Sequence, residues 1–364
     1  MKKISRDDFV KDILGLSVST SLDSPTLSVK YHKIKSQDTY SIVEQTLHYY
    51  ANKAINDNIL SKISVNSSAK GFVKGKSYLD FLSEHKDGYY FLRLDIKKFF
   101  PSISQTDIRN VLSQYLSYKI NKKDKISTLD YAMNVITHRV DPKSAPFLPV
   151  GFSSSPTLSN IIFRKIDILI EKLCLDKNVK YTRYADDLLF SSSNNPEILD
   201  DKFINEISKL VSILSLKLNV KKTKRKKGLI SLNGYVICNK SPDQPWLFSK
   251  KKRYFTGNLW VSNKKTKNFS KLIYLMEKGY SSDYIANKVL KITPNNNHVF
   301  YGVNVDFYTK YCNDQVLNKA RGYRSFLLSL IIYDTKNKCV EENYINKYSK
   351  LVNRLDLVID KYTS

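Results

Sequence analysis

The chain has 364 residues, and its 60 Lys and Arg against 34 Asp and Glu give a net charge of +26. Such an excess repels itself unless a polyanion offsets it, so nucleic acid is the expected partner. The 4 cysteines form no CxxC pair and no apolar run reaches transmembrane length, which excludes a zinc ribbon, a disulfide framework and a membrane anchor. A reduced, cytoplasmic protein with no membrane contact is therefore expected.

Hydrophobic periodicity and turn residues predict a mixed chain that ends in a mainly helical region. In chain order, the predicted elements are a short helix and loop in 1–30, a strand pair in 31–42, a helix in 43–63, a strand ending at Asp95, a helix after Ser104, a helix from Ser155 to about Leu173, a hairpin around 184–187, a helix in 197–216, a strand pair in 230–238 and helices in 265–364.

Asp186 and Asp187 lie between a predicted strand, residues 180–183, and the apolar run 188–190. An exposed Asp-Asp turn is the simplest interpretation of this segment alone, because Asp favours turns. Asp95 ends another apolar strand, where an acid is costly unless it binds a metal or a hydrogen-bond donor. Buried paired carboxylates are tolerated chiefly beside cations, and two divalent ions bridged by Asp oxygens are typical of phosphoryl transfer.

Six segments carry a resemblance to a known family. They are residues 69–77, 94–103, 148–160, 184–187, 218–224 and 230–237. In order and spacing they resemble the motifs of reverse transcriptases, and 69–77 is similar to a segment of bacterial retron and group II intron enzymes.

The resemblance implies an α+β, right-hand polymerase fold with fingers, a palm whose antiparallel sheet packs on helices, and a helical thumb. The implied divisions are an N-terminal extension in 1–30, fingers in 31–88, a palm with finger insertions in 89–240, and a thumb with a C-terminal helical region in 241–364.

The resemblance also implies the chemistry of the site. The implied catalytic and metal-binding residues are Asp95, the Ile96 carbonyl, Asp186, Asp187 and Lys222. The three Asp carboxylates and the Ile96 carbonyl would hold two Mg²⁺ ions, for which Mn²⁺ can substitute, because oxygen-only ligation suits Mg²⁺. Lys222 would donate a proton or charge to the leaving pyrophosphate, with Lys221 and Lys224 as competing choices.

Two further groups of residues are implied to contact substrates. The nucleotide-binding candidates are Lys33, Lys35, Phe99, Phe100, Val150 and Gly151. The primer and template candidates are Lys70, Lys74, Lys76, Ser155, Pro156, Tyr184, Asn233, Gly234 and Tyr235. Phe100 stands where the family keeps an aromatic ring against the sugar 2′ position, although a core aromatic beside Phe99 is the alternative.

The chain departs from the family pattern at several positions. Val150 replaces a Gln that contacts the nucleotide, and Tyr40 stands where an Arg usually binds the triphosphate. Of the retron Asn-Ala-x-x-His element only His85 is kept, and residues 232–234 replace Val-Thr-Gly. These departures favour the divergent bacterial enzymes associated with phage defence and abortive infection over an ordinary retron enzyme.

The expected function is RNA-directed DNA synthesis from deoxynucleoside triphosphates on a dedicated RNA template. Residues 265–364 show no recognisable endonuclease motif, so a separately encoded effector, or a second copy of the chain, is the expected protein partner. The alternatives are an RNA-dependent RNA polymerase, a template-independent or protein-primed DNA synthase, a retron-type or group II intron-like enzyme, and a non-catalytic RNA-binding scaffold. Residues 217–227 and 250–253 are strongly basic and favour nucleic-acid contact beside the predicted primer grip.

Overall fold

The computed structural model describes residues 3–34, 37–239, 258–292 and 305–363. The chain divides into two compact units, one formed by residues 1–85 and 90–226 and the other by residues 86–89 and 227–364. This division falls inside the range predicted as palm, so the boundaries of fingers, palm and thumb stay predictions.

The first unit holds most of the strands. They are β1 (Val29–Ile34), β2 (Gln37–Ile42), β3 (Tyr90–Asp95), β4 (Lys180–Tyr184), β5 (Asp187–Ser192) and β6 (Lys224–Lys227), whose last residue belongs to the second unit. Its helices are α1 (Arg6–Asp8), α2 (Leu47–Asn58), α3 (Tyr78–Ser83), α4 (Phe99–Ser102), α5 (Gln105–Leu112), α6 (Thr128–Ile136), α7 (Ser154–Asp176) and α8 (Asp201–Ser212).

Local sequence signals explain where these helices begin. The Ser104 hydroxyl accepts from the Asp107 N–H at 3.0 Å and so caps α5, as its sequence predicts. Helix α7 begins at Ser154 with Pro156 in its first turn, where proline is favoured. The structure confirms the strand pair predicted in 31–42, the helix predicted in 43–63 and the helix predicted from Ser155, with shifts of a few residues at their ends.

One antiparallel sheet organises the first unit, with strand order β4-β5-β3-β6. In the register of β3 and β5, Leu94 faces Leu188 and Asp95 faces Asp187. The apolar residues of these strands are fully buried together with Ile162 and Ile166 of α7. Because α7 covers the sheet, the carboxyl end of β3 is held rigidly beside the β4–β5 turn.

The second unit contains a three-stranded sheet and long helices. Its remaining elements are β7 (Leu229–Leu232), β8 (Tyr235–Cys238), β9 (Asn258–Val261), α9 (Asn263–Glu277), α10 (Ser282–Ile285), α11 (Val305–Asn337) and α12 (Glu342–Thr363). Tyr235 stacks on Phe326 with ring centroids 4.6 Å apart. The predicted helical content of residues 265–364 is confirmed for the residues described. None of the described helices combines the length and apolar character needed to cross a membrane.

Candidate active site

The β4–β5 hairpin brings the adjacent acids to the end of β3. Tyr184 pairs with Asp187, which leaves Ala185 and Asp186 as the turn, and Ala185 has φ +56°. The Ile96 N–H donates to the Asp186 carbonyl at 2.9 Å. A backbone hydrogen bond therefore fixes the separation between the turn and the strand that carries Asp95.

The Asp95 side chain is almost fully buried and only partly satisfied. Its Oδ2 accepts from Lys222 Nζ at 2.9 Å, whereas its buried Oδ1 has no hydrogen-bond partner among the described residues. Asp187 accepts a hydrogen bond from Arg93, whose Nη2 lies 3.7 Å from Asp95 Oδ2. Arg93 is not among the predicted site residues, although the two-residue period of a strand places Arg93 and Asp95 on one face.

Burial and like charge shape the electrostatics of the turn. Burial raises the pKa of the Asp186 carboxyl to about 6, and the charges of Asp187 and Asp95 push it in the same direction. Burial also raises the pKa of Asp187, although the Arg93 guanidinium opposes that rise. A bound cation would relieve this concentration of negative charge.

The residues present fit a divalent cation that takes part of its coordination from the substrate. Within the described part of the chain, no three His, Cys, Asp or Glu side chains are grouped closely enough to hold an ion alone. Mg²⁺ is commonly held by one or two carboxylates together with substrate phosphates and water. Asp95, with its unpartnered Oδ1, and Asp186 supply such carboxylates, while Asp187 is engaged by Arg93.

A cavity of about 670 Å³ opens beside these carboxylates. The described residues that line it are Gln37, Asp38, Tyr40, Asp95, Ile96, Lys97, Lys98, Phe99, Phe100, Pro101, Phe147, Val150, Asp186, Asn219 and Lys222. Seven residues predicted to belong to the site therefore line this cavity. They are Asp95, Asp186 and Lys222, Ile96, and the nucleotide-binding candidates Phe99, Phe100 and Val150.

The two phenylalanines after Asp95 play different structural roles. Phe99 is 3% exposed and packs edge-on against Phe163 of α7, so it belongs to the core. Phe100 is only partly buried and lines the cavity, with its ring centroid 6.3 Å from that of Phe72. Of the two, Phe100 is placed to meet a ligand in the cavity.

The loop before α7 is joined to β2 by its backbone. The Tyr40 N–H donates to the Val150 carbonyl at 2.8 Å, and Gly151 has φ +114°. A Cβ added at Gly151 would lie 2.2 Å from the Tyr40 carbonyl oxygen, so only glycine fits there. The Tyr40 ring packs against His138 and Phe147, with ring centroids 4.7 Å and 5.5 Å away.

The basic residues of the cavity differ from those predicted. Lys33 is exposed on β1 and is not among the described residues that line the cavity, and Lys35 lies outside the described residues. Lys97 and Lys98 do line it, on the turn that follows Asp95. Their position directly after Asp95 and Ile96 in the sequence was the signal that could have identified them.

The primer and template candidates of the first unit lie in varied surroundings. Lys74 and Lys76 are exposed, whereas Lys70 is buried and its Nζ lies 3.4 Å from Glu84. Ser155 is buried in the first turn of α7, beside the partly buried Pro156. Of these residues, Lys74 and Lys76 are the most accessible to a polyanion.

Aromatic side chains surround Tyr184. Its ring centroid lies 5.0 Å from that of Tyr78 and 6.2 Å from that of Phe72, which is 51% exposed. Tyr184, which ends β4 directly before the turn, is therefore held in an aromatic cluster.

The predicted primer-grip residues belong to the second unit. Asn233, with φ +48°, and Gly234, with φ +89°, form the turn between β7 and β8, and Tyr235 is buried. Lys265 donates to the Asn233 carbonyl at 3.1 Å, with its ammonium 3.6 Å from the centre of the Phe326 ring. The basic residues 250–253 lie outside the described residues.

Comparison with known protein families shows the family to which the chain belongs. A family described as reverse transcriptase (RNA-dependent DNA polymerase) matches residues 36–274, which is more than half of the chain. The chain belongs to the reverse transcriptase family. This membership confirms the right-hand polymerase fold class, and the mixed helices and antiparallel sheets agree with it.

Individual reverse transcriptases from bacterial retrons are similar to about half of the chain. The chain is 30% identical over 196 residues to the retron Ec73 reverse transcriptase of Escherichia coli, covering 50% of this chain and 59% of that protein. It is 30% identical over 180 residues to the retron Ec83 reverse transcriptase of the same species, covering 46% and 54%. The match thus spans little more than half the length of these curated relatives, and the resemblance to bacterial retron-type enzymes is confirmed.

Solved telomerase structures are also similar. The structure of telomerase from Candida albicans with a fragment of telomeric RNA has a TM-score of 0.42 at 12% identity, covering 93% of this chain and 64% of that one.

Proposed function

We propose that the chain is an RNA-directed DNA polymerase that adds deoxynucleotides to a primer with the help of two Mg²⁺ ions. The observation that carries the proposal is the cavity wall on which Asp95, Asp186, Phe100 and Lys222 meet. Bound divalent ions would activate the primer 3′-hydroxyl and neutralise charge on the triphosphate.

The chain's own residues divide the remaining work. Lys97 and Lys98 carry positive charge on the cavity wall, where a triphosphate would need it. The Phe100 ring would exclude a 2′-hydroxyl by contact with the sugar. Lys222, held by Asp95, would deliver charge or a proton to the leaving pyrophosphate.

Primer extension on a defined RNA template tests the proposal. We expect incorporation of deoxynucleotides with Mg²⁺, none in Asp186→Asn, and unchanged incorporation in Asp176→Asn, whose carboxylate is exposed at the end of α7. Synthesis without template would support a template-independent synthase, product that stays bound to protein would support protein priming, and preferred use of ribonucleotides would indicate an RNA polymerase. RNA binding with no incorporation of any nucleotide would leave a scaffold and overturn the proposal.

We also propose that this activity serves a bacterial anti-phage defence system and uses a dedicated non-coding RNA in the cytoplasm. The support is the combination of retron-type similarity with the loss of the usual nucleotide contacts at Val150 and Tyr40. Sequencing the RNA that co-purifies with the chain should give one abundant species. In a phage challenge, protection by the chain and its neighbouring genes should disappear in Asp186→Asn. A mixture of cellular RNAs, or protection that persists in the variant, would contradict this proposal.

A further inference from the structure

Ala185, the residue that precedes Asp186 in the turn, has an uncommon backbone conformation. Its φ of +56° lies in the left-handed region, which residues with a Cβ rarely adopt. Conformations of this kind persist where the surroundings determine them, and they cluster at functional sites. Contacts with surrounding residues are therefore expected to hold Ala185 in this conformation.

Three residues converge on Ala185. Arg183 Nη1 donates to the Ala185 carbonyl at 3.1 Å. A Cβ added at Gly71 would lie 2.7 Å from the Ala185 nitrogen, so the backbone at Gly71 packs directly against the turn. Asn160 connects the two: its Oδ1 accepts from Arg183 Nη1 at 2.9 Å, and its Nδ2 donates to the Gly71 carbonyl at 2.9 Å.

The Arg183 side chain is itself fixed from several directions. It is fully buried, and its Nε and Nη2 donate to the two oxygens of Asp167 at 2.9 Å and 2.7 Å. The Tyr181 hydroxyl donates to the same carboxylate at 2.8 Å, and the guanidinium lies 4.6 Å from the centre of the Phe163 ring. A buried ion pair contributes little net stability compared with apolar residues of the same volume, so a rigid geometry is its clearer consequence.

The backbone of residues 68–70 adds to this support. The Arg183 N–H donates to the Ser68 carbonyl at 2.8 Å, and the Lys70 N–H donates to the Arg183 carbonyl at 2.8 Å. The segment that leads into Gly71 is therefore hydrogen-bonded beside β4, as a short parallel bridge. Gly71 cannot move away from Ala185 without breaking these bonds.

We propose that Arg183, Asn160 and Gly71 are positioning residues that determine the direction of the Asp186 carboxylate. They act through Ala185 and do not line the cavity among its described residues. The inference rests on the proposed function, because it takes Asp186 as a ligand of the divalent ion. Substitution of residues that orient metal ligands typically weakens metal affinity or activity about 10–100-fold.

Gly71→Ala is the most direct test. Gly71 does not have a left-handed φ, so alanine adds no backbone strain of its own, and its Cβ would press on the turn at the Ala185 nitrogen, 2.7 Å away, and at the Tyr184 backbone, 3.1 Å away. Gly322→Ala is the matched control, because an added Cβ there meets nothing within 4 Å. Asn160→Asp separates the two contacts of the amide, since the carboxylate still accepts from Arg183 but cannot donate to Gly71.

The measurements are Mn²⁺ binding by electron paramagnetic resonance, kcat for nucleotide addition, Kd for primer–template, and the melting temperature. In Gly71→Ala and Asn160→Asp we expect Mn²⁺ affinity and kcat to fall at least about tenfold, with the primer–template Kd within about twofold. Gly322→Ala should match the wild type in all four.

Two results would overturn the inference. The first is a Gly71→Ala protein that has a lowered melting temperature but wild-type Mn²⁺ affinity and kcat. This result would show that the three residues stabilise the fold without positioning Asp186. Equal losses of metal and primer–template binding would point to general disorder of the unit. If the wild-type chain binds Mn²⁺ but adds no nucleotide, the proposed function fails, whereas the Mn²⁺ measurements still test the positioning role.

Discussion

Asp95 and Asp187 are register partners on neighbouring antiparallel strands, yet their carboxylates have different hydrogen-bond partners. Asp187 is bound by Arg93, whereas Asp95 is bound by Lys222 through one oxygen and keeps its other oxygen buried without a partner. On the hairpin turn beside them, burial raises the pKa of Asp186 to about 6, and burial also raises the pKa of Asp187 against the opposing charge of Arg93. The three acids are therefore not equivalent, and substitutions should distinguish them.

We expect Asp186→Ala and Asp95→Ala each to reduce nucleotide addition by about 10²–10³-fold or more, because each removes a carboxylate that would hold a divalent ion, and the ion's stabilisation of the transition-state charge is lost with it. Primer extension under single-turnover conditions measures the loss. A variant at either position with a rate near the wild-type value would show that the site is assigned wrongly.

The same substitutions should differ in their effects on stability. Because the pKa of Asp186 is raised to about 6, its ionisation opposes folding, and the metal-free protein loses stability as pH rises from about 4 to 6. At pH 8, Asp186→Ala should therefore unfold at a temperature equal to or above that of the wild type. Asp95→Ala loses the bond to Lys222 and should not gain stability. Thermal unfolding in the presence of a chelator makes the comparison.

Phe100→Val should admit ribonucleotides while deoxynucleotide use is kept. The smaller side chain opens space at the cavity wall, and a steric change of this size typically alters discrimination by about 10–200-fold. Competition between matched ribo- and deoxynucleotides measures it. Phe72→Ala is the control, since Phe72 contacts Phe100 but is not among the described cavity residues. Unchanged discrimination in Phe100→Val would return this ring to the core.

Lys222→Ala should lower kcat by about 10²-fold, as expected for the loss of a proton donor or a charge at the leaving group. Lys221→Ala is the matched control, because its side chain is exposed and no hydrogen bond joins it to the described carboxylates. A larger effect at Lys221 than at Lys222 would reverse the assignment.

Val150→Gln tests whether position 150 faces the nucleotide. Its side chain lines the cavity, so the new amide should either gain a hydrogen bond to the substrate or remain unsatisfied at a cost of about 1–3 kcal/mol. Kinetics with each of the four deoxynucleotides on one RNA template separate these results. A uniform gain supports ordinary templated copying, and a loss at one nucleotide supports specialisation. No change with any nucleotide would contradict the alignment of residues 148–160 with the family motif.

His85 should make the stability of the first unit depend on pH. Complete burial lowers the pKa of its imidazole to about 3, while its ring nitrogens bond the hydroxyls of Ser191 and Thr182. The unfolded chain binds a proton near pH 6.5 and the folded chain does not, so the free energy of unfolding falls by about 1.4 kcal/mol per pH unit from about pH 6 to pH 3. Urea unfolding across this range measures the slope. His85→Gln should remove that part of the slope, and an unchanged slope would refute this origin.

The sequence was sufficient for elements whose signals are local. Ser104 and Pro156 predicted helix starts, and the Asp186-Asp187 pair predicted a hairpin that the structure contains. That Asp95 lies near Asp186 was predicted from the resemblance to the family motifs, because local sequence patterns do not show which distant residues meet.

Contacts between distant segments were not predictable in this way. Arg93 directly precedes the motif at 94–103 and Lys97 lies within it, but Asp187, which Arg93 binds, and most of the residues that line the cavity with Lys97 come from other parts of the chain. Lys70 looked like a nucleic-acid contact because of its charge, whereas burial beside Glu84 depends on the tertiary fold. Only the packing of the whole unit decides which charges face solvent.

The strand order β4-β5-β3-β6 also has a consequence for the timing of synthesis. Strand β3 is internal, and both of its neighbours lie later in the chain, so it leaves the ribosome with neither edge covered. At typical translation rates of about 5–20 residues per second, roughly 5–20 s pass between the synthesis of β3 and that of β5. During this interval Asp95, at the end of β3, has no neighbouring Asp186 or Asp187. A growing chain shorter than 186 residues lacks two of the three site carboxylates, so the candidate site is completed only late in synthesis.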